Sequence, residues 1–103
     1  MTREIRLADD FLLEAIRQFR QERGPNGEPS VEDFITHDLP KIEFVFSEFW
    51  DTLNLWQEHS NYRHRYIQGI VAYSYYVVGR EQPDGSIELV DLHVDQNWPE
   101  TES

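Results

Sequence analysis

Between Val31 and Trp56 the apolar residues form one stripe: Val31, Phe34, Ile35, Leu39, Ile42, Val45, Phe46, Phe49, Leu53 and Trp56, each one, three or four positions after the last. Such spacing keeps them on one side of a 3.6-residue period, so it predicts helix across the stretch. Pro40 interrupts the pattern, because proline removes an amide and crowds the preceding turn at a cost of about 3 kcal/mol in a helix interior. A kink or short break is therefore expected at 37–40, with Asp38 capping the second segment and Pro40 in its tolerant first turn. The rival reading makes KIEFVF (41–46) a strand by alternation, but the helical spacing extends past it on both sides.

Upstream, REIRL at 3–7 alternates polar and apolar residues and predicts a short strand with Ile5 and Leu7 on one face. A helix follows, opened by Asp9 and Asp10, where carboxylates meet unpaired amides, and carried by Phe11, Leu12, Ala15, Ile16 and Phe19. Gly24-Pro25 ends it. GPNGEP (24–29) is a breaker-rich loop, and Ser30 before Val-Glu-Asp has the form of an N-cap with acids in the first turn. The final third is β in character: Tyr62–Ile67 and Ile70–Val78 are rich in aromatic and β-branched residues. Gln82-Pro83-Asp84-Gly85 is a strong turn signal, and the return strand Ser86–Val94 puts Val90, Leu92 and Val94 on one face and Asp91, His93 and Asp95 on the other. The expected fold is α+β: a short N-terminal strand, two helices with the second long or kinked near Pro40, then an antiparallel three-stranded C-terminal sheet.

Composition narrows this further. A chain of 103 residues, 39% hydrophobic, is long enough for one core and too short for two, so residues 1–103 are read as a single domain. The absence of cysteine excludes disulfides, thiolate metal sites and a cysteine nucleophile. MTREIRLADDF lacks the apolar core of a signal peptide, and no later run approaches the roughly 20 apolar residues of a membrane span. A cytoplasmic protein without membrane attachment is expected.

The net charge of −11 is unevenly spread: residues 24–60 hold eight acids and one lysine, 81–103 hold seven acids and no lysine or arginine, and 61–80 hold three arginines and no acid. Duplex DNA would repel such a chain unless the basic island were presented locally, because nucleic-acid affinity rests on neutralising phosphates. That island, NYRHRY at 61–66, alternates Tyr62, Arg63, His64, Arg65 and Tyr66, with His59 close by; arginine beside tyrosine suits phosphate contact combined with base stacking. The plainer reading is a solvated strand face over a core face. Asp91, His93 and Asp95 could ligate a divalent ion, but residues two apart on a strand are separated by roughly 6.6 Å, so no metal and no cofactor are expected. Trp50, Trp56 and the Phe44–Phe49 cluster are read as core. No phosphate-binding glycine loop, His-Glu-x-x-His helix or Gly-x-Ser-x-Gly elbow is present.

The assembled order of strand, helices and terminal hairpin resembles the RelE/ParE superfamily of bacterial toxins. REIRLADDFLLEAIRQF is similar to that family's opening strand and first helix, 30–57 to its second helix, YRHRYIQGIVAYSYYVV to its central strands, and IELVDLHVDQNWP to a last strand ending in Leu-His and then Trp. The resemblance implies one of two activities. A metal-independent endoribonuclease would use Arg63, Arg65 and His93 with Tyr66 or Tyr75 stacking; but Val94, Asp95, Gln96 and Asn97 stand where relatives carry a basic pair. A ParE-like protein would poison a target such as gyrase by contact and be neutralised by an antitoxin, which suits the acidic charge better. Tyr62, Arg63, His64, Arg65, Tyr66, Tyr75 and Trp98 are the binding candidates. Expected partners are thus a protein, either antitoxin or inhibited target, weak RNA contact at the basic island, and a second copy in a homodimer. The alternative is an acidic interaction or inhibitor protein that imitates nucleic acid.

Overall fold

A computed structural model describes residues 2–58 and 60–96. Strand β1 (Ile5–Leu7) leads into α1 (Asp9–Gln18), α2 (Val31–His37) and α3 (Leu39–Glu48). A 3-10 turn at Trp50–Thr52 then precedes β2 (Asn54–Leu55), β3 (Tyr62–Gln68), β4 (Ser74–Glu81) and β5 (Ile87–Asp95). The strands form one mixed sheet in the order β1-β5-β4-β3-β2, with β1 parallel to β5 and the other pairs antiparallel. Among the described residues no helix is long and apolar enough to cross a membrane.

This overturns the expected layout of two helices and a three-stranded antiparallel sheet. Strand β1 joins the same sheet because Ile87 and Leu89 of β5 need a neighbour: Ile5 and Leu7 lie opposite them, and the Ile87 amide donates to Glu4 O. Strand β2 has only two residues and sits inside the stripe that read as helix. That stripe is cut into two helices by a break at Asp38 and ends at Glu48, where Phe49 leaves helical geometry (φ −119°, ψ 20°). The turn so made buries Trp50 and Leu53 rather than continuing the helix. No strand forms at 41–46.

The first helix also stops early. Phe19 is extended (φ −106°, ψ 162°), which turns its ring onto Phe34 at 5.1 Å and towards Tyr75, and Arg20 then bridges to Ser30 before Gly24 is reached. Ser30 caps α2 as its sequence implied: its side chain accepts from the Asp33 amide, and Asp33 accepts from the Ser30 amide. The helices cover one face of the sheet. Phe11, Phe34, Ile42 and Phe46 meet Tyr75, Val77, Ile87, Leu89 and Leu92 in one core.

Asp38 does not cap α3. Its carboxylate is buried and reaches across to the β3–β4 loop, accepting the Ile70 amide at 2.8 Å, the Val71 amide at 2.9 Å and the Tyr75 hydroxyl. Buried carboxylates persist only when donors replace the lost water, and here three do. The Tyr75 phenol is held far above its ordinary range, by burial first and by Asp38 second, so it stays protonated and donates. The helix break foreseen at Pro40 thus serves as the anchor of a sheet loop.

Candidate functional site

Among the described residues no helix covers the opposite face of the sheet. Alternation along β3 directs Arg63, Arg65 and Ile67 towards the helices and Tyr62, His64 and Tyr66 away from them, as shown by Arg63 lying 5.6 Å over the buried Trp50 ring. The registers then define rungs across the open face. Tyr66 lies opposite Tyr76, and Tyr76 opposite His93; His64 lies opposite Val78, and Val78 opposite Asp91; Tyr62 lies opposite Arg80, and Arg80 opposite Glu88. Trp56 joins this face from beyond β2, its amide donating to Tyr62 O at 3.0 Å.

The aromatic rings on these rungs touch in series. Trp56 meets His64 edge-on at 5.6 Å, His64 meets Tyr76 at 5.5 Å, and Tyr76 meets Tyr66 at 4.8 Å. Tyr66 is 72% and Trp56 52% exposed, so the row is anchored at its middle and open at its ends. Such ring pairs contribute about 0.5–1.5 kcal/mol beyond their area. Burial raises the Tyr76 phenol above its usual range, with Tyr66 and Asp91 adding to the shift, so a neutral hydroxyl is presented.

Within the row, His64 Nδ1 is buried without a hydrogen-bond partner among the described residues. An unsatisfied buried nitrogen costs about 1–3 kcal/mol, whereas an apolar group of similar shape costs nothing there. His64→Phe is therefore expected to keep both ring contacts and raise stability by about 1 kcal/mol in urea unfolding. A loss of stability would contradict this account of the row.

A recess of about 500 Å³ opens at one end of the face, lined by Trp56, Gln57, Ser60, Tyr62, Val78, Val90 and Asp91. A bulge creates it. Gly79 pairs with Leu89 but Val78 pairs with Asp91, so Val90 is an extra residue in β5. The bulge reverses the alternation: Ile87 and Leu89 before it, and Leu92 and Val94 after it, all face the helices. Val90 does not share the face of Leu92 and Val94 that strict alternation assigned to it; it borders the recess instead.

The residues singled out in the sequence are thus scattered. Arg63 donates to Asp51 O and Leu53 O and stacks on Trp50, which makes it a tie between β3 and the 3-10 turn. Arg65 follows on the same side of β3, while His93 is exposed on the other face of the sheet two strands away. The triad Arg63, Arg65 and His93 is therefore not brought together. Tyr75 is buried in the core and offers no ring for stacking, because helix-side alternation of β4 puts it beneath α2 against Phe34. Tyr62, His64 and Tyr66 do share the open face. Trp98 and His59 lie outside the described residues. Trp56, read as core, is on the open face, and Phe44 and Phe49, read likewise, form an exposed edge-on pair at 5.8 Å. Tyr76 was not singled out; its place two residues from Ser74 in a strand facing both Tyr66 and His93 follows only from register.

Asp91, His93 and Asp95 follow one another along β5, and among the described residues no group of three His, Cys, Asp or Glu side chains is close enough to hold a metal ion. No family model, curated protein or solved structure matches the chain.

Proposed function

We propose that the chain is a non-enzymatic protein-binding domain that uses the open face of its sheet. The observation that carries this reading is the uncovered series Trp56, His64, Tyr76 and Tyr66. Large aromatic side chains with few rotors dominate binding energies at protein interfaces, and here several are already ordered by one another. Dispersal of Arg63, Arg65 and His93 over two faces speaks against phosphodiester cleavage, which needs cationic groups converging on one phosphate.

The resemblance to RelE/ParE toxins supplies the partner class: an antitoxin segment or an inhibited target protein. On that reading, expression of the chain alone stops bacterial growth, and Tyr66→Ala combined with Tyr76→Ala relieves the arrest. The same double variant is expected to weaken partner binding at least about 30-fold, since two interface aromatics in mutual contact are together worth about 2 kcal/mol or more. Calorimetry with the recovered partner checks it. Unchanged affinity would remove the open face as the contact surface, and unimpeded growth would remove the toxin reading while leaving protein binding to be judged by affinity.

A further inference from the structure

We propose that the recess beside Trp56 receives an arginine side chain from a basic segment of the protein partner, an inference that rests on the open face being the contact surface. Its walls suit a planar cation. Trp56 and Tyr62 supply aromatic surface on the β2–β3 side, Val78 an apolar floor, and Asp91 a carboxylate on the β5 side. Guanidinium stacks on aromatic rings and donates in its own plane to a carboxylate, whereas an ammonium is a more strongly hydrated point charge.

The bulge at Val90 is what makes this possible, because it turns Asp91 onto the open face opposite Val78. Asp91 Oδ1 accepts the Leu92 amide at 2.9 Å, and among the described residues no donor reaches Oδ2. Among the described residues neither nearby arginine pairs with Asp91: Arg17, beside it on the α1 side, is bound by Glu14, and Arg80 lies one rung away across from Glu88. Charge favours the same occupant. Strand β5 carries Glu88, Asp91 and Asp95 and no lysine or arginine, so a basic segment meets a field of complementary sign along it.

The test is an NMR titration of the whole chain with N-acetyl-arginine amide, and separately with N-acetyl-lysine amide and N-acetyl-citrulline amide. Arginine is expected to give saturable shifts at the Trp56 indole and at the Tyr62, Val78, Val90 and Asp91 amides, at least threefold tighter than lysine, with none from citrulline. Asp91→Asn is expected to abolish the response while the remaining spectrum stays dispersed; Tyr62→Leu provides a second variant that weakens it and leaves the charge in place. Equal responses to citrulline, no saturable shift at the recess, or undiminished binding by Asp91→Asn would overturn the proposal. A partner that loses affinity to Tyr66→Ala/Tyr76→Ala but not to Asp91→Asn would overturn it too, while leaving the open face as the contact surface.

Discussion

Asp38→Ala is expected to lower stability by about 3 kcal/mol or more, a larger loss than from either of the other polar residues buried among the described ones, Ser30 and Ser86. Removing the carboxylate leaves two loop amides and one buried phenol without an acceptor. Each such group costs about 1–3 kcal/mol when water cannot replace the lost partner. Gly69 adds to the constraint: a Cβ there would lie 2.5 Å from Ala72 O and 3.0 Å from Asp38 Oδ2, so the loop is closed tightly around the carboxylate and has little room to admit solvent. For a domain of this size the melting temperature should fall by roughly 12 °C or more. Tyr75→Phe, which removes one of the three donors and leaves the two amides, should cost about 1 kcal/mol. Urea unfolding of both variants checks the ranking; an Asp38→Ala protein within 1 kcal/mol of the parent would mean that the carboxylate is dispensable.

Phe46→Ala is expected to cost about 3–5 kcal/mol, the range for removing a fully buried phenyl ring from a core. Phe46 has no exposed surface and stands between Trp50, at 6.2 Å, and the β4 backbone. That approach is possible because residue 79 is glycine: a Cβ there would come within 2.9 Å of Phe46 Cδ2 and 3.1 Å of Trp50 Cζ3. The site is bounded by sheet backbone on one side and by the Trp50 ring, itself under the Arg63 guanidinium, on another, so it cannot collapse to fill the space. Gly79→Ala alone should destabilise, and combining it with Phe46→Leu should cost less than the two separate losses together, since the smaller side chain makes room for the methyl. A double-mutant cycle in urea measures this; strict additivity would show that the ring does not press on β4. Because the bulge begins at Gly79, loosening this contact should also broaden the NMR signals of Val90 and Asp91.

How far the sequence carried this reading depends on the range over which each feature is decided. The Ser30 cap, the break before Pro40 and the Gln82–Gly85 turn each depend on neighbours within four residues, and their residue types announce them. The end of α1 is different. Its apolar spacing runs on through Phe19, yet that residue leaves the helix because Phe34 and Tyr75 offer its ring a better place. The stripe at 45–56 likewise reads as helix, since Trp50 and Leu53 keep helical spacing while the chain turns to bury them. Among the candidate site residues, period-2 alternation places Tyr62, His64 and Tyr66 on one face of β3 and Arg63 and Arg65 on the other. It says nothing of which face the helices take.

The sequence by itself determined a chain of helices followed by β-ribbons, acidic in composition with one cationic stretch, because composition and local spacing depend on no distant partner. The tertiary structure alone decided that β1 lies beside β5, that Asp38 serves the β3–β4 loop, and that the bulge at Val90 turns Asp91 towards Trp56. These are pairings between residues roughly 30 to 80 positions apart in the chain, and their outcome is set by which buried groups must find apolar cover or hydrogen-bond donors.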